Sequence, residues 1–173
     1  MSIRALPLLV IAALAVGAGP RPVWDGKHSR RLPFERALSI TKDPSMPLNM
    51  CHSAWARIMT LCEDGFLALH ALERRRPAFL QEVRAALHRL SALLNEQRLA
   101  QRPRPNRLSH AEALAGISDP RSTAAELRAC LDLLVFDIEV ATRGLQARLQ
   151  KGGEIRLVSA IILSWFRRFL EGR

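Results

Sequence analysis

From Leu48 onward, apolar residues recur at three- and four-residue steps, the spacing that gathers them on one face of an α-helix. Trp55, Ile58, Met59, Cys62, Phe66 and Leu69 form the first stripe, which runs out near Arg74-Arg75-Arg76. Cations in a last turn suit the negative end of the helix dipole, and Pro77 cannot continue the hydrogen-bond ladder. A second stripe of Leu80, Val83, Leu87, Leu90 and Leu94 predicts a helix over 77–101, stopped by Arg102-Pro103-Arg104-Pro105. The third is the most regular. Thr123 and Glu126 have the spacing of a capping box, Leu127, Leu131, Leu134, Ile138, Ala141, Leu145 and Leu149 follow, and Gly152-Gly153 ends it. The last stripe, Ile155, Val158, Ile162, Trp165, Phe166 and Phe169, predicts a helix over 154–170. Leu157 and Ile161 widen it, so this helix is expected to be the most buried.

The segments between these stripes read differently. Residues 19–47 carry Pro20, Pro22, Pro33, Pro44 and Pro47, which predicts an irregular N-terminal arm with at most a helical turn or two over Phe34 to Ile40. Residues 102–122 form the longest internal linker. Within it, Ser109 and Glu112 make a second capping-box pattern, Gly116 is a stop signal for a short helix, and Asp119-Pro120 marks a turn. No strand-period alternation competes. The expected fold is all-α, a helical bundle of four main amphipathic helices over 48–173 with an irregular arm over 19–47. The joints at Pro77 and Gly152-Gly153 are short enough for antiparallel hairpins or long kinked helices.

The first 18 residues fall outside that domain. Arg4 precedes an apolar run from Ala5 to Ala15, and Val16-Gly17-Ala18 places compact residues where a signal peptidase cuts. Residues 1–18 therefore read as a secretory signal, too short an apolar run for an anchor, and the mature chain as an extracellular protein with no membrane span. Charge adds a class of partner. The formal net charge is +10, and Arg4 is the leader's one charge, so removing the leader leaves +9. That balance favours acidic partners, namely acidic glycans, nucleic acid, anionic lipid or an acidic receptor face, with Arg74, Arg75, Arg76, Arg102, Arg104 and Arg107 as candidate polyanion contacts. The bland alternative is that such arginines only keep a helical protein soluble. Aromatic residues fall mainly on the apolar stripes, so no base-stacking platform is visible and no specific nucleic-acid partner is expected.

Catalytic and metal patterns are missing from the chain. It has no G-x-S-x-G, no H-E-x-x-H, no C-x-x-C and no Gly-rich phosphate loop. Cys51-His52 is the one Cys/His neighbour pair, too little for a zinc site. Glu63-Asp64 and Asp137/Glu139 are carboxylate neighbours, but adjacent and alternate helix positions point apart, so they read as surface charges. The expectation is a non-enzyme without cofactor or metal. Three cysteines, Cys51, Cys62 and Cys130, in an exported chain leave one without an intrachain partner. Cys51 and Cys62 lie eleven residues apart, a rise of roughly 16 Å on one helix, beyond disulfide reach. An up-down-up-down bundle would run the first and third main helices parallel, which favours Cys62–Cys130. Cys51–Cys130 and three reduced, buried thiols remain the alternatives.

The C-terminal segment carries a resemblance. Lys151-Gly152-Gly153, then Leu163-Ser164-Trp165, Arg167-Arg168 and Leu170-Glu171, resemble the Lys-Gly turn and final helix of the interleukin-10 family, in particular its cationic members related to interleukin-26. The resemblance implies a secreted helical cytokine that bridges cell-surface receptor chains through exposed helix faces, with Arg167 and Arg168 as candidate receptor-facing residues. A fainter likeness links Cys130-Leu131, Glu139-Val140 and Leu145-Gln146-Ala147-Arg148 to the second helix of the interleukin-6-like group. That topology needs long overhand crossovers, against which the short joints argue. The rival from another class is a bacterial periplasmic or secreted helical accessory protein, which the Ala-, Arg- and Leu-rich composition allows.

Overall fold

A computed structural model describes residues 31–95 and 99–171. The expected leader and the first part of the arm, 19–30, lie outside these residues. Among them the structure is all-helical, with no strand: α1 Phe34–Lys42, α2 Leu48–Arg75, α3 Leu80–Leu94, α4 His110–Ser118, α5 Ala124–Leu149 and α6 Gly153–Leu170. A single 3-10 turn, Pro77–Phe79, joins α2 to α3. No helix among the described residues is long and apolar enough to cross a membrane.

The chain divides into two compact units, with the boundary at Thr60–Leu61 inside α2. In the first unit, the part of the arm expected to form a turn or two is a full helix. Phe34, Ala37 and Ile40 recur at steps of three and are buried, which sets the helix over 34–42. Arg57 Nε donates to Leu32 O at 3.0 Å, fixing the approach to α1.

In the second unit, α5 packs against α3, α4 and α6, and α3 also packs against α6. The direction of each helix follows from its side-chain pairings. Arg128 meets Glu82 at 3.0 Å and Arg89 meets Glu139, so α3 and α5 run parallel. The His110 ring, at the start of α4, touches both Leu61 O on α2 and Asp137 on α5. At the other end, Arg75 of α2 reaches Ile117 O and Ser118 O of α4, and Leu72 and Leu127 line one groove. Hence α4 runs with α2, and α5 runs against it. The short helix between α3 and α5 adds one more crossing than four main helices alone would give.

That extra crossing overturns the favoured disulfide. Among the described residues, Cys51, Cys62 and Cys130 are all buried and unpaired. Cys62 adjoins Leu61, whose carbonyl shares the His110 ring with Asp137. Cys130 lies seven residues from Asp137, a rise of about 10 Å along α5. With α2 and α5 antiparallel, the two thiols sit at different heights. Cys130 instead faces Gly116, where an added Cβ would stand 2.5 Å from its sulfur. Gly116 therefore gives close helix approach and does not end α4, which continues to Ser118.

Other local signals are realised. Both capping boxes form, with Ser109 and Thr123 accepting from the backbone N–H of Glu112 and Glu126, whose carboxylates accept in return. Gly152 and Gly153 have φ of +77° and +72°, the left-handed turn that side chains resist, and they reverse the chain into α6. The second stripe stops early: α3 ends at Leu94, where the Asn95 N–H caps Ser91 O, short of the expected Gln101. The expectation for the last helix fails more completely. In α6 Ser159, Ile162 and Phe166 are buried, whereas Leu157 is 56% exposed; in α5 twelve residues are buried. Lying beside three other helices buries α5 on most sides, whereas α6 packs against α3 and α5 and has one flank uncovered.

Candidate functional site

The predicted contact residues separate into two kinds. Arg167 and Arg168 are exposed on α6, together with Arg156, Leu157, Ala160 and Ser164. At 100° per residue these six positions span an arc of about 120°. The opposite side of the helix holds Ile162 and Phe166 in the core. Phe66 of α2 stacks edge-on with Phe166 at 5.5 Å and face-on with Phe169 at 5.7 Å. His70 lies 3.1 Å from Phe169 O, which fixes the last turn of α6. The outward arc is thus a rigid strip with an apolar residue at one end and paired cations at the other. Arg167 also donates to Leu94 O at 3.5 Å.

Arg74 and Arg107 are exposed. Arg75 and Arg76 are tied to backbone carbonyls: Arg75 to Ala71, Ile117 and Ser118, and Arg76 to Pro120. Arg102 and Arg104 are drawn toward a feature read from sequence as surface charge. Asp137 and Glu139 are 1% and 2% exposed, so that reading is corrected. These alternate positions on α5 do point apart, as expected, but each points toward its own set of side-chain partners. Arg89 and Arg102 meet Glu139, the latter at 3.3 Å, and the Arg102 guanidinium lies 5.8 Å from the Phe136 ring centroid. Arg104 stands 3.6 Å and His110 Nδ1 2.9 Å from the Asp137 carboxylate. A buried carboxylate without such partners would be costly; paired, it fixes geometry more than it adds stability.

These pairs hold the linker. Arg143 donates to Leu99 O and Ala100 O, Arg102 to Asp132 O, Arg104 to Asn106 O and Leu108 O, and the Asn106 amide to Ala129 O at 2.8 Å. Residues 99–109 have no helix or strand of their own. Side chains, chiefly arginine, satisfy carbonyls that secondary structure would otherwise use.

The thiols are chemically quiet. Burial pushes Cys62 well above its ordinary value of 9.0, and the nearby Asp137 adds to the shift. Burial also raises Cys130, with Glu126 contributing. Both stay protonated at neutral pH, away from the thiolate form that reacts. Among the described residues, no group of three or more His, Cys, Asp or Glu side chains is arranged to hold a metal ion. The buried acids and His110 were within sight as residue types; their depth was not, because their partners lie 27 to 50 residues away in the chain. The chain matches no protein-family model, no curated protein and no solved structure.

Proposed function

We propose that the protein is a secreted helical ligand of the cytokine type, built on its four long amphipathic helices α2, α3, α5 and α6, that engages a cell-surface receptor chain through α6. The observation that carries this reading is the outward arc of α6. Leu157 and Ala160 offer a shallow apolar patch beside the small Ser164, and Arg156, Arg167 and Arg168 flank it with cations. A partner matched to that arc presents a small apolar pocket beside acidic residues. The resemblance of the Lys151–Glu171 segment to the final helix of the interleukin-10 family supports the same assignment, and the apolar leader pattern over 1–18 supports export.

Binding of the full chain to a panel of cytokine-receptor ectodomains tests the proposal. Saturable binding to one receptor chain is expected. The Arg167→Glu/Arg168→Glu double variant is expected to lose about tenfold or more in affinity, mostly through faster dissociation. Absence of saturable binding across the panel overturns the reading. Binding that the double variant leaves unchanged moves the contact off α6.

A further inference from the structure

We propose that the end of the second unit where α2 and α4 finish and α5 begins is a binding site for a sulfated glycan chain. The inference deepens the reading of a secreted basic ligand by giving its polyanion contact a location.

A groove opens there with Leu72, Ile117 and Leu127 in its floor and Arg75, Arg76 and Asp119 in its walls. Arg75 is held at three points: its Nε donates to Ala71 O, and its terminal nitrogens to Ser118 O and Ile117 O, each at 3.3 Å. Arg76 is held by Pro120 O. The carbonyls of Ile117 and Ser118 close α4, where the backbone dipole is negative and steadies a guanidinium. A guanidinium has five N–H donors, and these bonds engage three at Arg75. Two arginines are therefore fixed at the groove with donors to spare, so an anion meets them without first ordering two long side chains. Arg74 precedes them on α2, Arg121 follows Pro120, and both are exposed. Arg75 and Arg76 thus line a groove whose one carboxylate is Asp119, and the exposed Arg74 and Arg121, next to them and to Pro120 in sequence, add to the positive charge around it.

The chemistry selects the ligand class. Guanidinium forks match the paired oxygens of a sulfate or carboxylate. No aromatic ring lines the groove, so stacked bases find no platform. The apolar floor residues are 1–2% exposed, which leaves nothing to insert between lipid chains. A linear sugar carrying sulfates at short intervals fits a groove with cations on its walls. Two other arginines of the sequence pattern, Arg102 and Arg104, face the buried Glu139 and Asp137 instead.

The test uses the full chain and a heparin-derived oligosaccharide. The Arg74→Glu/Arg121→Glu variant changes only exposed side chains and is expected to weaken binding about tenfold or more, with a shallower salt dependence. Asp119→Asn keeps an acceptor for the Arg121 N–H and is expected to tighten binding by about threefold. Arg156→Glu/Arg168→Glu, an equal change of charge on α6, is expected to have a much smaller effect. Equal losses from the two double reversals would mean diffuse attraction and overturn the site while leaving polyanion binding standing. A DNA duplex bound as tightly as the oligosaccharide, with the same dependence on Arg74 and Arg121, would overturn the glycan assignment. Failure of the unaltered chain to bind the oligosaccharide would overturn both site and polyanion binding, whatever the receptor panel shows.

Discussion

Helices α5 and α6 have exchanged the roles that their side chains predict. Residues 155–170 hold no acidic residue and ten large apolar ones, yet α6 leaves an arc of about 120° uncovered. α5 carries Glu126, Asp132, Asp137 and Glu139, yet two of those four acids are buried. The difference lies in neighbours. α5 lies against α3, α4 and α6, so most directions from its axis meet protein. Density of apolar residues measures what a helix could bury; position in the packing decides what it does bury. An acid in a central helix survives only when cations come to it, and the linker brings Arg102 and Arg104 for that purpose.

The strongest attack on this contrast is Asp137→Ala. It leaves the buried His110 Nδ1 without its hydrogen-bond partner and Arg104 without the carboxylate it faces, and a buried group orphaned from a charged partner costs about 3 kcal/mol. Denaturant unfolding measures it; a loss below about 1 kcal/mol would mean that the network is decoration. Next in size is Gly116→Ala, which presses a methyl group against the Cys130 sulfur and is expected to cost about 1–3 kcal/mol. Cys130→Ala should recover much of that loss, and strict additivity of the two changes would show that the contact is not the cause.

A smaller effect distinguishes the caps that frame α4 and α5. The backbone N–H and then the hydroxyl of Ser109 hold the Glu112 carboxyl below its ordinary 4.5, and Thr123 does the same for Glu126. A lowered folded value means that the carboxylate form stabilises the fold. This contribution is complete above about pH 4.5 and is lost as pH falls through the lowered values. Glu112→Gln/Glu126→Gln keeps the box pattern without the titration, so the acid limb of a stability-versus-pH curve should flatten. An unchanged limb would assign acid sensitivity elsewhere. The smallest effect belongs to α6: Leu157→Ala is expected to stay within about 0.5 kcal/mol, because the side chain is largely in water already. A loss of about 2 kcal/mol on thermal or denaturant unfolding would show that something covers it.

What was legible in the sequence follows the range of the interactions. Both capping boxes and the Gly152-Gly153 reversal need residues three or fewer apart, and all three features form where the pattern places them. The four long stripes gave the long helices and the all-helical class. The direction of α5 was not legible, because α4 is nine residues long and sits in a stretch rich in proline and arginine. The capping box at Ser109 marks this short helix, but a count of four main helices leaves it out as a crossing; each later helix then points the wrong way, and Cys62–Cys130 looks close for that reason. The site was legible in part. Arg74, Arg75 and Arg76 stand at one end of the second unit, where the end of their stripe places them, but nothing local marks Arg102 and Arg104 as turning toward buried acids.

The linker over 99–109 also bears on how this sequence can drift. Loops usually accept change while cores resist it, since loop backbone is solvated and makes few specific contacts. Here the shape of the loop is written in Arg102, Arg104 and Asn106, whose contacts reach α5. A library randomised over this stretch and sorted for folded protein should therefore return a core-like pattern from a surface segment. Those three positions should stay nearly fixed, and lysine should be a poor substitute for either arginine because it lacks the planar fork. Gln101, Pro103 and Pro105, which are exposed, should vary freely. Kinship traced through this chain would then be read better from a surface loop than from the apolar stripes, whose leucines many unrelated helices share.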